Sequence, residues 1–288
     1  EPFISDKMSP ENREQITALL DDNYNNELVA TMVNARPSRR WTPEQVKAII
    51  DQGPFTARKA SSLGLIDGLA YEDEFEKCLA KKLSAKESKI ERHYAKPKVA
   101  ELDFSNPLAL FAALGGPKKT RASKNPKIAV IYAIGGISTG KSSVDPLMGG
   151  ETVGSDTLVE AIRSADKDPT VKAIVLRIDS PGGSALASDI IWRALKVCQK
   201  PVVASMGDVA ASGGYYIAMP AAKIYAEPGT ITGSIGVFGL KLVTGGLEEW
   251  GGMKTEVIAR GKNSGVMSST FPWTESEREA LTATVEDV

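Results

Sequence analysis

The chain has 288 residues, with 35 Lys and Arg against 36 Asp and Glu, and 42% hydrophobic residues of which few are aromatic. That length supports a sizeable core and about two domains or repeat units, while the near-neutral balance supplies no basic footprint for nucleic acid or an anionic membrane surface. Cys78 and Cys198 are too few for a disulfide framework and lack metal-ligand spacing; the longest apolar stretch, 107–116, falls short of the roughly 20 residues that cross a bilayer, and no signal peptide precedes it, so the chain reads as soluble.

In chain order, Ser9-Pro10 predicts a helix start with a cap and a proline at the first position, running through Ile16, Leu19 and Leu20. Thr42-Pro43-Glu44-Gln45 fits a capping box, followed by an apolar face of Val46, Ile49 and Ile50. Residues 56–63 predict a short helix closed by Gly64, with Leu65-Ile66-Asp67 as a brief strand. The Lys-, Pro- and Gly-rich stretch 81–126 reads as a linker. The continuous Val/Ile/Leu runs at 127–134 and 171–178 predict buried parallel strands, with 201–205 as a third. Helical spacing lies between them at 155–165 and 185–198. This β-α-β-α-β order predicts an α/β fold with a mostly parallel sheet.

An internal repeat is also present. Arg13-Glu14-Gln15-Ile16-Thr17-Ala18 overlies Arg278-Glu279-Ala280-Leu281-Thr282-Ala283 without a gap, Asp22 falls on Asp287, and the period is about 265 residues. The chain is thus expected to begin inside one copy and stop inside the next.

His93 is the single histidine, so a Ser-His-Asp triad or multi-His metal site would have to use it. It sits in the charged stretch 89–98, which reads as solvated linker, and catalysis is expected to avoid histidine. Gly135-Gly-Ile-Ser-Thr-Gly-Lys141-Ser142 satisfies the phosphate-loop pattern, but that loop needs a helix starting at the lysine, and Pro146 and Gly149-Gly150 break helix at once. A Gly/Ser-rich surface loop is the expectation there.

The second constellation is Asp179-Ser180-Pro181-Gly182-Gly183-Ser184 after one strand and Ala210-Ala211-Ser212-Gly213-Gly214-Tyr215-Tyr216 after the next. A glycine pair at a strand's C-terminal end allows close backbone approach and leaves N–H groups free, as an oxyanion hole requires, and such sites lie at that end of the sheet. The bland alternative is a pair of tight turns in which Ser212 merely caps the helix 214–218.

At these residues the sequence resembles the signal peptide peptidase A family, also called protease IV, of the Clp protease and crotonase fold. Residues 173–184, 210–216, Thr232-Gly233-Ser234-Ile235-Gly236 and 56–67 look like its motifs in order, and Glu1-Pro2-Phe3-Ile4 with Met8-Ser9-Pro10 looks like the stretch after the catalytic lysine in the first half of the tandem-repeat members. The resemblance implies that residues 1–80 close a first peptidase repeat and 127–288 form most of a second, of repeated β-β-α units. It implies Ser212 as nucleophile, Gly213 with Gly182 or Gly183 as oxyanion donors, and Ser234 as the hydroxyl that orients a base lysine. That lysine lies either upstream of Glu1 or at Lys262; Lys59, beside Arg58 on a charged helix face, is a weaker candidate. No cofactor or metal is implied. The resemblance further implies hydrophobic remnant signal peptides as substrates, a homo-oligomer (a tetramer), and a cytoplasmic-membrane setting with the catalytic part facing outside the cytoplasm and membrane contact through parts outside this chain. An acyl-CoA hydratase or isomerase, a non-catalytic oligomer-building half and a nucleotide hydrolase are the competing readings.

Overall fold

A computed structural model of the chain describes residues 7–82, 125–144 and 150–287. His93 and residues 83–124 of the expected 81–126 linker lie outside the described residues. The chain falls into two compact units, one of residues 1–69 and 237–288, the other of residues 70–236.

The first unit opens with α1 (Pro10–Asp22), where Ser9 Oγ accepts the Asn12 N–H at 3.2 Å. A π-helical turn, Asn23–Val29, carries it into α2 (Ala30–Ala35). α3 (Pro43–Ile50) has the expected capping box: the Gln45 N–H donates to Thr42 Oγ1, the Thr42 N–H donates to Gln45 Oε1 at 2.9 Å, and Val46 is buried. α4 (Ala57–Ser62) is capped by Thr56 and closed by Gly64 at φ 78°. The strand expected at Leu65-Ile66-Asp67 does not form. The Leu65 N–H returns to the Ala60 carbonyl and the Gly64 N–H to that of Ser61, a helix-closing pair that takes Leu65 away from any ladder. Arg36 and Arg39 hold the Asp67 carboxylate at 2.7 and 3.7 Å.

The second unit begins with α5 (Glu72–Lys82), then β1 (Lys127–Ile134), β2 (Gly136–Ser138), β3 (Ser143–Val144), β4 (Glu151–Gly154), α6 (Ser155–Lys167), β5 (Val171–Ser180), α7 (Ala185–Lys196), β6 (Val202–Ala211), α8 (Gly213–Ala218), β7 (Lys223–Tyr225) and β8 (Ile231–Gly233). The main sheet is parallel in the order β1-β5-β6-β7, with β8 also pairing β6; β2, β4 and β3 form a smaller sheet. Leu158 and Ile162 of α6, Ile191 and Leu195 of α7 and Ile217 of α8 pack with Ile174, Leu176, Ile178 and Met206 of the strands as one core. The expectation of strands buried on both faces fails for β1. Ile131 and Ala133 face the helices, whereas Ile128, Val130, Tyr132 and Ile134 are exposed on the other face. After Lys141 the chain enters β3 rather than a helix, so the phosphate-loop pattern has no helix to hold a phosphate. The Ser142 N–H instead donates to Thr157 Oγ1, and the Gly154 N–H to Ser142 Oγ, both at 2.9 Å.

The first unit resumes with α9 (Gly245–Trp250) and α10 (Glu275–Asp287). α10 repeats α1 in length and in cap: Thr274 Oγ1 accepts the Glu277 N–H at 3.3 Å, as Ser9 accepts that of Asn12, at the residue offset of the sequence repeat.

Asp168 closes the turn between α6 and β5. The Lys127 ammonium at 2.7 Å, and then the Thr170 hydroxyl and N–H at 2.7 and 2.9 Å, hold its carboxyl well below the usual carboxylate range. With the folded-state value lowered, the stabilisation is present above the unfolded value near about 3.9 and is lost as pH falls towards the folded one. Asp168→Asn is therefore expected to melt below the wild type at neutral pH, with the gap closing in acid; a gap that does not change with pH would contradict this.

Candidate active site

β5 and β6 run parallel, so their C-terminal ends emerge at one edge of the sheet. Before that edge the ladder is irregular: Ile178 pairs with Met206, yet Ser180 pairs with Ala210, so β6 bulges. Asp179 fills the gap, its Oδ1 accepting the Val209 N–H at 3.1 Å, and Gly207 leaves room for its side chain.

Beyond the bulge Ser180 is fully buried. Its hydroxyl donates to the Gly135 carbonyl at 2.6 Å and accepts the Gly182 N–H at 3.1 Å. The chain then turns through Gly182 at φ 97° and Gly183 at φ 149°. Gly183 is bridged to Ile137: the Ile137 N–H donates to the Gly182 carbonyl at 2.8 Å and the Ser184 N–H to the Ile137 carbonyl at 2.9 Å. Both bonds use neighbours of Gly183, so its own N–H has no acceptor among the described residues. Ser184 caps α7 by accepting the Ala187 N–H at 3.2 Å.

The second loop starts where β6 ends. Ser212 has φ 51° and ψ -119°, a conformation that costs a non-glycine residue about 1–3 kcal/mol and that folded proteins keep mostly at functional sites. Its N–H donates to the Gly233 carbonyl and its carbonyl accepts the Tyr216 N–H, each at 2.9 Å. Its hydroxyl makes no capping bond, so the side chain of this serine is not spent on capping the helix. The two loops meet through glycine backbone. A Cβ on Gly182 would lie 2.6 Å from the Gly213 nitrogen and 2.9 Å from Ser212 Cβ, and one on Gly213 would lie 3.4 Å from the Gly183 nitrogen and 2.5 Å from Ser188 Oγ. Gly213 opens α8, where its N–H has no helical partner. Unpaired N–H groups of Gly183 and Gly213 therefore flank Ser212, whereas that of Gly182 is spent on Ser180.

β8 aligns Gly233 with Ala211 as the last pair of the ladder, and Ser212 and Ser234 are the residues that follow it on the two strands. Ser234 also has positive φ, 49°, and is exposed. Lys262 and Lys59 belong to the first unit. There the Lys262 N–H donates to Asp51 Oδ1 at 2.7 Å, and both lysines line a cavity of about 690 Å³ together with Asp51, Arg58 and Asp287.

A further cluster in the second unit joins Tyr216 to residues that no sequence motif connects with it. Asp189 Oδ1, on α7, accepts the hydroxyl of Tyr216 at 3.0 Å and that of Tyr71 at 3.1 Å. Burial, and after it the Asp189 carboxylate, pushes the Tyr216 phenol up to about 12. Arg193, one turn on, stacks on the Tyr71 ring and pairs with Asp73 and Glu74 at 3.0 and 2.9 Å. The one sequence signal was the tyrosine pair after Gly214; its partner across the helices is set by tertiary packing.

The sequence pattern of Peptidase family S49 matches residues 2–86 and 194–288, which include both Ser212 and Ser234. The chain belongs to peptidase family S49. The Clp protease pattern matches 151–230, the part that carries β5, β6 and the two glycine loops, and the fold is of the expected Clp-protease-like α/β class with a mostly parallel sheet. Among relatives, the chain is 38% identical over 257 residues to the chloroplastic serine protease SPPA of Arabidopsis thaliana, covering 88% of this chain and 35% of that protein. It is 40% identical over 247 residues to Protease 4 of Salmonella typhi, covering 83% and 36%. The chain thus spans about a third of the length of these curated relatives. A solved structure of a membrane-bound stomatin-specific protease overlaps 42% of this chain and 52% of its own, at 26% identity and a TM-score of 0.30. Among the described residues no helix is long and apolar enough to cross a membrane.

Ser180→Ala would leave the Gly182 N–H and the Gly135 carbonyl without their buried partner, at a cost of about 1–3 kcal/mol. A lower urea midpoint is expected; an unchanged midpoint would show that the hydroxyl is dispensable to the first loop.

Proposed function

We propose that the protein of which this chain is part is a serine endopeptidase of the Ser-Lys type, with Ser212 as nucleophile. One observation carries this reading above the others. Ser212 is strained, its hydroxyl is left uncommitted, and it is flanked by two unpaired backbone N–H groups at the C-terminal edge of a parallel sheet. Membership of peptidase family S49 and the likeness to Protease 4 support the same assignment.

In this mechanism a neutral lysine takes the Ser212 hydroxyl proton as Oγ attacks the peptide carbonyl carbon. The carbonyl oxygen becomes an oxyanion held by the N–H groups of Gly183 and Gly213. The lysine, now protonated, gives its proton to the departing amine as the C–N bond breaks. Water, deprotonated by the same lysine, then attacks the acyl carbon; the bond to Ser212 Oγ breaks, the lysine returns the proton to Oγ, and the acid product leaves. A base lysine must lose its proton near the working pH, so its surroundings have to lower its pKa from roughly 10.4. We assign the base to Lys262 or to a lysine outside this chain, with Ser234 orienting it. The substrates are proposed to be hydrophobic remnant signal peptides, cleaved by a homo-oligomer at the cytoplasmic membrane with its catalytic part facing outside the cytoplasm.

Hydrolysis of a signal-peptide-like substrate by the full-length protein is expected to fall by at least about a thousandfold in Ser212→Ala. In parallel, Lys262→Ala separates the two positions of the base. A full-length wild type that neither cleaves the peptide nor forms a fluorophosphonate adduct would sink the peptidase assignment.

A further inference from the structure

The two proposed oxyanion donors stand at the starts of two different helices. Gly183 immediately precedes Ser184, the cap of α7, and Gly213 is the first residue of α8. Their separation is therefore set by how α7 and α8 are fixed to one another. Backbone contact between the loops limits the closest approach, because Gly182 and Gly213 already meet without side chains. Close contact alone does not stop the helices from moving apart. A specific tie does so, and the described side chains contain one: the Tyr216 hydroxyl of α8 donates to Asp189 of α7 at 3.0 Å. Tyr216 lies one turn after Ser212, and its N–H bonds the Ser212 carbonyl at 2.9 Å. Asp189 lies just over one turn after Ser184. The tie thus spans the two helices close to the donors themselves.

Two further contacts brace it. Trp192 of α7 packs against the Tyr216 ring, with centroids 6.3 Å apart. Tyr71 places a second hydroxyl on the same Asp189 oxygen at 3.1 Å, and the residues after it clamp Arg193, so the Asp189 side chain is held from two sides. A part-buried carboxylate oxygen shared by two hydroxyl donors has a defined position and so can act as a fixed post.

We propose that Tyr216 is a positioning residue: through Asp189 its hydroxyl sets the spacing of the Gly183 and Gly213 N–H groups around the developing oxyanion. This rests on the assignment of Ser212 as nucleophile. Oxyanion donors act on charge that appears only in the transition state, so a small error in their spacing lowers kcat and leaves ground-state binding largely intact. A misplacement of about 1 Å can cost on the order of a hundredfold, and loss of one of several ties should cost part of that.

The test uses the full-length protein and a fluorogenic leucine- and alanine-rich peptide, with kcat expressed per Ser212 site titrated by a fluorophosphonate so that unfolded molecules do not count. Tyr216→Phe keeps the ring and its contact with Trp192; it is expected to lower kcat per titrated site about tenfold with KM within about twofold of wild type. Asp189→Asn, which retains an oxygen acceptor, is expected to keep at least about half of kcat. A Tyr216→Phe variant with kcat per site within about twofold of wild type would overturn the proposal. So would an Asp189→Asn variant as impaired as Tyr216→Phe, because the effect would then follow the carboxylate charge and not the bond. A wild type with no titratable serine fails one step earlier, at the assignment of Ser212, and both readings fall together.

Discussion

The site depends on contact between two stretches of backbone with no side chains between them. At Gly182, Gly183, Gly213 and Gly214 a single added carbon would lie within 2.6 Å of backbone or side-chain atoms of the facing segment or strand. Positive φ adds a second reason for glycine at Gly182 and Gly183. Everything the site can do follows from this contact. It brings the end of β5 against the end of β6, where Ser212 holds a conformation that serine avoids and the Gly183 and Gly213 N–H groups have no acceptor among the described residues.

The rest of the second unit can be understood as support for that contact. The bulge in β6 lets its longer run from Val202 to Ala210 end level with the run from Ile174 to Ser180 of β5, and Asp179 pairs the N–H that the bulge would otherwise orphan. Ser180 ties the first loop to Gly135 at the end of β1 and removes the Gly182 N–H from the set of free donors. The same glycine-rich stretch therefore contains one N–H that builds the loop and one that remains available for chemistry, in consecutive residues. Ser212 and Ser234 each follow the last paired residue of β6 and β8, and both have positive φ.

Much of this was legible in the sequence because it rests on local rules. The capping box at Thr42, the Ser9-Pro10 start and the Gly64 stop each depend on a few adjacent residues, and each forms. The two glycine loops were legible because a glycine pair directly after an apolar strand has few other uses. What could not be read depends on partners distant in the chain. Leu65-Ile66-Asp67 looks like a strand until Arg36 and Arg39 take its aspartate and the helix cap takes its first N–H. Gly182 and Gly183 were equivalent donors on pattern alone; the buried Ser180 hydroxyl distinguishes them. β1 read as buried on both faces because apolar content does not say how many layers cover a sheet. α5 went unread because its helix is mostly charged, and its attachment through Asp73 and Glu74 to Arg193 joins residues more than a hundred positions apart.

The most direct test of this account is a crystal structure of the full-length protein after reaction with a fluorophosphonate, because the phosphonyl oxygen occupies the place of the oxyanion. The account predicts phosphorus bonded to Ser212 Oγ and that oxygen within about 3 Å of the nitrogens of Gly183 and Gly213. An adduct on another residue, or an oxygen directed at the Gly182 nitrogen or at solvent, would contradict it.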